Sequence, residues 1–314
     1  MRAVTIRNGE VVVAEHPDPE PDIGEVLVRV HAAGLNGADQ MQLRGLYPPP
    51  PGSRIPVDIP GLEFAGHVEA IASGTGRIAV GDHVMALTAG GAQAELAVVP
   101  EDQLIHVPNG LDWPHAGGFP EVFSTAYDAL FNTGHLQRGE HLLVHGAAGG
   151  VGTAAVQLAT QRGAKVTASV RNPAYRDAVT ALGAVVIAPE DFALGGEFDV
   201  ILELVGAPNM PTNVASLATC GRIVVIGISG GYSTELNLGE LMFRRGTIAS
   251  TTLRSRSSEA KAALARQIER DVLPVVADGL VHVPLAATYP LDQVADAYSH
   301  FAEGGKLGKL VLTL

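Results

Sequence analysis

Apolar and polar positions along the chain fall into two textures. Up to about residue 120 the apolar residues come in short runs, as in EVLVRVHAAGL and GDHVMALTAGGAQAELAVV, broken by glycine or proline about every ten residues. That spacing predicts a β-rich unit. From about 121 to 255 strand and helix patterns alternate. HLLVHG predicts a strand, GVGTAAVQLATQRG a helix stopped at Gly163, KVTASV a second strand and PAYRDAVTALGA a helix stopped by Gly183. VVIA, FDVILELVG and GRIVVIGI predict further short apolar strands. Strand, helix, strand in that order implies right-handed crossovers and a parallel sheet with helices on both faces. SSEAKAALARQIERDVLPVVADG then predicts a helix, and GKLVLTL a closing strand. The fold class expected is α/β, with a β-rich part and a doubly wound part. No internal repeat is visible, and the one biased segment is the proline turn YPPPPG at 47 to 52.

With 314 residues, 46% hydrophobic and 17% charged, the chain fits two globular domains. No apolar run reaches the length of a membrane span and the N-terminus lacks the regions of a signal peptide, so a soluble cytoplasmic protein is expected. Cys220, the single cysteine, allows no internal disulfide and no thiolate metal site by itself. A net charge of −12 argues against general binding to nucleic acid or to a membrane surface.

The stretch HGAAGGVGTAAVQLAT, 145 to 160, carries the chemistry. Ala147, Gly149 and Gly152 form an A-x-G-x-x-G spacing after a predicted strand and at the start of a predicted helix. Glycines there let the backbone turn tightly and approach a pyrophosphate, while the helix N-terminus offers unpaired N–H groups and the positive end of its dipole. Ala148, Gly149, Gly150, Val151 and Gly152 are the expected contacts. Which dinucleotide binds is set about twenty residues on, where an acidic residue favours a free ribose and an arginine a 2′-phosphate. KVTASVRNPAYR supplies Ser169, Arg171 and Arg176 and no carboxylate before Asp177, which points to NADPH.

The chain resembles the zinc-free quinone oxidoreductases of the medium-chain dehydrogenase/reductase superfamily. The resemblance runs over nearly its whole length and rests on AAGLNGADQMQLRGLYPPPPG, IPGLEFAGHV, FPEVFSTAYDAL, HGAAGGVG, LMFRRGTIASTTLRSR and the final GKLVL. The proline turn and FRRG…LRSR are most similar to the tumour-suppressor-inducible quinone oxidoreductase group. The resemblance implies a GroES-like catalytic domain over 1–120 and 259–314 and a Rossmann domain over 121–258, with NADPH in the cleft between them. It also implies a homodimer joined through Rossmann sheet edges, here through GRIVVIGISGG.

Alcohol dehydrogenases share that architecture and hold a catalytic zinc through a cysteine in the loop that here reads GLNGADQ and a histidine where Leu62 precedes Glu63. Neither ligand is in place, the four-cysteine lobe is missing, and His31, His67, His83 and His145 read as scattered. No metal site is expected. Reducing a simple ketone builds a localised alkoxide that calls for a Lewis acid or a good proton donor. A quinone or α,β-unsaturated carbonyl spreads the arriving charge, so orientation in a dry cleft suffices. The expected reaction is hydride transfer from NADPH to such an acceptor.

By resemblance, Asn36 lies beside nicotinamide and substrate, and Tyr47 lines the quinone pocket, although it could simply pack the prolines. Thr125, at the start of a helix, contacts the cofactor. Gly206, Gly227 and Ile228 sit at strand C-termini, where a doubly wound sheet places its ligand. Leu253 and Lys306 match positions near the nicotinamide and at the cleft mouth. The chain departs from the family at three places: Arg171 and Tyr175 replace a Gly and a Lys, Ala188 and Pro189 replace an Asn-Tyr pair, and Gly37 replaces an arginine. A nucleotide-gated binding protein, structural or RNA-binding in the manner of zeta-crystallins, is the competing class, weakened by the acidic balance and by the lack of an aromatic-basic stripe. Enoyl-thioester reduction is a third reading, for which no basic pantetheine groove is evident.

Overall fold

A six-stranded parallel sheet organises residues 125 to 252 in the computed structural model, which describes residues 1–50, 54–73 and 76–314. Pro51 and Gly52 of the expected proline turn lie outside the described residues. The strands run in the order Val185–Ile187, Lys165–Ser169, His141–Val144, Phe198–Glu203, Leu217–Val225, Thr247–Ser250. This is the doubly wound order, in which the chain reverses direction across the sheet between His141–Val144 and Phe198–Glu203. Val200 lies opposite Leu142 on one side and Arg222 on the other. Leu143, Ile201 and Ile223 are fully buried beneath Phe192, Phe198 and Val214.

The Gly150–Gln161 helix packs close to this sheet because its inner face is small: Ala154, Ala155 and Ala159 are at most 1% exposed. It ends as its glycine predicts, with Gly163 at φ +78°. One strand escaped the sequence pattern. Thr247–Ser250 has only four residues, mostly exposed, and it forms the sheet edge. The expected edge strand in GRIVVIGI is therefore interior, paired on both sides, which corrects the expected location of the joining edge.

The second unit comprises Met1–Ser124 and Leu253–Leu314. Its main sheet runs Leu285–Pro290, Lys309–Thr313, Glu25–Gly34, Glu63–Ile71, His83–Leu87, Ile105–His106, with Leu96–Pro100 added against Glu25–Gly34. Arg2–Arg7 and Glu10–Glu15 form a separate hairpin. The last strand thus enters a sheet begun almost 280 residues earlier, pairing Val311 with Gly34. Val26, Val28, Phe64, Val84 and Leu104 form the core on one face. The expected long C-terminal helix is two helices, Ser258–Asp271 and Leu273–Ala277. Pro274 falls in the first turn of the second, where proline is tolerated as it is not in an interior. Ser257 caps the first by accepting from Ala260 N at 3.3 Å.

Candidate functional site

The glycine corner lies at the carboxyl end of the sheet, beside the point where strand order reverses. Gly146 turns the chain at φ +61°, and Gly149 is the extended N-cap of the Gly150–Gln161 helix, with no side chain capping it. Its carbonyl accepts from Thr153 N at 2.8 Å, so the amides before Thr153 form the uncapped first turn. A Cβ on Gly152 would meet Gly146 O at 2.5 Å, whereas one on Gly149 would meet only that oxygen, at 3.4 Å. Gly152 is therefore required by packing, and Gly149 keeps an open approach to the amides. Ala148 and Val151 fall in the same turn and first helical residues. A pyrophosphate fits this donor set: free amides, a helix dipole and no side chain in the way.

Gly206, Gly227 and Ile228 converge next to the corner. Gly206 has φ +108°, and a Cβ there would lie 2.9 Å from Ile228 Cα. Glu203, fully buried, ties this region down: its Oε1 accepts from Val205 N at 2.6 Å and Gly206 N at 2.7 Å, and its Oε2 from Asn213 Nδ2 at 2.6 Å. Because Asn213 donates to Glu203, its Oδ1 must accept from His145 Nε2, at 2.8 Å. His145 Nδ1 then accepts from the Ser169 hydroxyl at 3.1 Å. Burial lowers the His145 pKa, which favours the neutral ring this chain of bonds requires.

That chain corrects the expectation for Ser169. Its hydroxyl turns inward to His145 and the residue is 3% exposed. The strand end is left to Arg171, exposed and with its side chain in no hydrogen bond or ion pair among the described residues, and to half-buried Tyr175. Arg176 is partly engaged, its Nε donating to Val170 O at 3.3 Å.

In the β-rich unit Asn36 is the N-cap of the Gly37–Leu43 helix and is 8% exposed. Both ends of its amide are committed: Oδ1 accepts from Lys309 Nζ at 2.7 Å, and Nδ2 donates to Glu63 Oε1 at 2.9 Å. Lys309 also donates to Leu35 O at 2.7 Å and pairs with Glu63 Oε1 at 2.6 Å. Glu63 Oε2 accepts from Glu121 N at 2.8 Å. Asp39, behind Asn36, accepts from Asn36 N at 2.8 Å, Gly61 N at 3.0 Å and Gln93 Nε2 at 3.3 Å. Burial pushes its carboxyl up to about 6, against the opposing pull of those donors and of Lys309. Tyr298 closes the network by donating to Gln93 Oε1 at 2.9 Å. The result is a rigid amide in a charged, dry surround.

Tyr47 is held by Arg254, whose Nη1 donates to the Tyr47 carbonyl at 2.5 Å and whose guanidinium carbon stands 4.7 Å from the ring centroid. Leu253 is buried beside it in sequence. Lys306 rests over the Phe301 ring at 4.0 Å, and burial lowers its ammonium to about 8. Thr125 is buried within the Pro120–Tyr127 helix, near its end and not at the expected start.

Three of the four histidines read as scattered are in fact neighbours. Strand register sets His67 opposite His83, His31 Nε2 meets His67 Nδ1 at 2.8 Å, and Trp113 contacts the rings of both His31 and His83 at 4.6 Å. Among the described residues no group of three or more His, Cys, Asp or Glu side chains is arranged to hold a metal ion. No helix among them is long and apolar enough to cross a membrane.

Sequence reasoning passed over Glu63, Lys309, Asp39, Arg254, Glu203 and Asn213. A signal was available for two of them: Glu63 opens the apolar run EFAGHV and Lys309 the apolar run KLVLTL, and a charge flanking a buried strand calls for a partner.

Comparison with known proteins shows which family the chain belongs to. Residues 22–109 match the alcohol dehydrogenase GroES-like domain, and residues 150–269 match the zinc-binding dehydrogenase family. A quinone oxidoreductase from Homo sapiens is 30% identical over 94% of this chain and 91% of its own length. The chain also matches, at 30% identity over 93% of its length, a segment that is 5% of the polyketide synthase GfsB from Streptomyces halstedii. Among solved structures, the quinone oxidoreductase from Thermus thermophilus, determined alone and with NADPH, has a TM-score of 0.84 at 30% identity, covering both chains fully. An NAD-dependent alcohol dehydrogenase has a TM-score of 0.87 at 26% identity, again covering both chains fully. The chain is an NAD(P)-dependent oxidoreductase and belongs to the medium-chain dehydrogenase/reductase superfamily.

Proposed function

We propose that the protein transfers a hydride from NADPH to a quinone or another α,β-unsaturated carbonyl without zinc. The observation that carries this reading is the open, uncapped amide turn at Gly149–Gly152 in a chain whose counterpart zinc positions hold Asn36 and Leu62. Bound nicotinamide would supply the hydride. The Gly146–Gly152 corner would hold the pyrophosphate, and Arg171 with Tyr175 would meet the adenosine end, the free guanidinium favouring a 2′-phosphate. Thr125, Gly206, Gly227, Ile228, Leu253 and Lys306 complete the proposed cofactor contacts.

Asn36 would orient the acceptor or the nicotinamide amide. Its own amide is fixed by Lys309 and Glu63, so it presents a set geometry without rotamer freedom. Tyr47, pinned by Arg254, would offer its ring to a flat conjugated acceptor. Conjugation in the acceptor removes the need for a Lewis acid at its oxygen.

A cytoplasmic homodimer is part of the same proposal. Tyr232, Leu238, Met242 and Phe243 are each more than 70% exposed and precede the edge strand Thr247–Ser250 in sequence, exposed apolar side chains of the kind a second copy would cover. Sedimentation of a Phe243→Glu variant as monomer would support it, and an unchanged wild-type profile in which both forms are monomers would refute it.

The test of the reaction is steady NADPH consumption with 1,4-benzoquinone or 9,10-phenanthrenequinone, lost in Gly149→Trp. Turnover with neither quinones nor enones, despite tight NADPH binding, would favour a binding protein instead.

A further inference from the structure

Within the β-rich unit a cavity of about 650 Å³ is lined by Ile55, Ile59, Leu96, Thr88, Arg254 and Lys261, among others. That volume is in the range of small-molecule sites. Arg254 is 5% exposed and has no carboxylate partner among the described residues. Its acceptors are all neutral: Ala89 O at 2.7 Å, Tyr47 O at 2.5 Å and Gln42 Oε1 at 2.7 Å. Buried cations are ordinarily paired with an anion, because lost hydration is otherwise only partly replaced. The ammonium of Lys261, half-buried on the Ser258–Asp271 helix, makes no hydrogen bond or ion pair among the described residues. Its pKa is lowered by burial and by the charge of Arg254, so the two cations feel each other.

Asp39 and Glu121 attract the Arg254 guanidinium through space, but neither forms an ion pair with it among the described residues. Glu25 pairs with Arg54, and Glu20 is exposed. Gly90 lets the loop close on the guanidinium: a Cβ there would lie 3.4 Å from Arg254 Nη2 and 2.8 Å from Ile55 Cγ2.

We propose that this cavity binds an organic carboxylate, its apolar body against Ile55, Ile59 and Leu96 and its head held by Arg254 and Lys261. The site uses no residue assigned to the nucleotide, and it stands whether or not the acceptor is a quinone. A carboxylate there would gain charge-assisted hydrogen bonds from both cations, of the kind that are shorter and stronger than neutral ones.

The probe is 1-naphthoate, titrated calorimetrically into the full chain, with neutral 1-naphthamide as its uncharged counterpart. Expected are saturable one-to-one binding of naphthoate, binding of naphthamide weaker by about tenfold or more, and a loss of about tenfold in Lys261→Gln that Lys261→Arg recovers. Lys261→Gln should keep the wild-type thermal midpoint and NADPH binding, since the side chain holds nothing else in place. Equal binding of naphthamide, unchanged affinity in Lys261→Gln, or no saturable binding at millimolar probe would overturn the proposal. So would loss of naphthoate binding in Gly149→Trp, which would put the probe at the nucleotide corner instead.

Discussion

Lys309 Nζ lies 2.6 Å from Glu63 Oε1, with the two side chains 3% and 0% exposed. The pair joins the final strand to Glu63–Ile71 across the intervening Glu25–Gly34 and fixes the amide of Asn36 between them. A buried ion pair is costly to break from one side because the surviving charge is left without a partner. Lys309→Met should lower stability by about 3 to 5 kcal/mol in urea denaturation. Combining it with Glu63→Gln should restore part of that loss, because the stranded carboxylate is gone. Additive losses in the double variant would show that the pair does not act as a unit.

Asp39 gives a pH signature. Its folded-state value of about 6 lies above the ordinary 3.8, so the folded protein holds this proton where the unfolded chain has released it. The resulting stability is fully present below about pH 4 and is lost as pH rises through 6, amounting to roughly 3 kcal/mol. Subtracting the stability profile of Asp39→Asn from that of the wild type should leave a curve that falls between pH 4 and 6.5. A flat difference would contradict the assignment.

The two glycines of the nucleotide corner should separate in their effects. Gly152→Ala drives a methyl into Gly146 O and should destabilise the fold by about 1 to 3 kcal/mol. Gly149→Trp projects from the open turn, so it should leave the unfolding midpoint nearly unchanged while raising the NADPH Kd by about a hundredfold or more. Fluorescence titration and thermal unfolding on both variants distinguish the roles.

Arg171 is expected to set cofactor preference. Replacing it with Ala should weaken NADPH by about tenfold and leave NADH within about twofold, because only the 2′-phosphate loses a charge-assisted contact. Equal weakening of both nucleotides in parallel titrations would move the phosphate contact elsewhere.

Local rules made the doubly wound sheet legible. The glycine corner, the helix after it and the strands ending at Ser169 and Glu203 each carry their own period and stop signal. The Thr247–Ser250 edge was not legible, since four mostly exposed residues carry little apolar pattern. Nor was the surround of Asn36, which depends on Glu63 and Lys309 meeting across 246 positions of sequence. Ser169 failed for a related reason. Its residue type suits a ribose contact, but His145 and Asn213 claim the hydroxyl through tertiary packing. Likewise His31, His67 and His83 look dispersed until antiparallel register brings them to one face.

Metal-free hydride transfer is tested by single-turnover mixing of the metal-stripped protein, loaded with NADPH or its 4-deuterated form, against 9,10-phenanthrenequinone. The 340 nm absorbance should be lost without added metal, more slowly with deuterium at the transferred position and not at all in Gly149→Trp. Reduction that appears only after zinc is restored, or that is absent at saturating quinone, would contradict it.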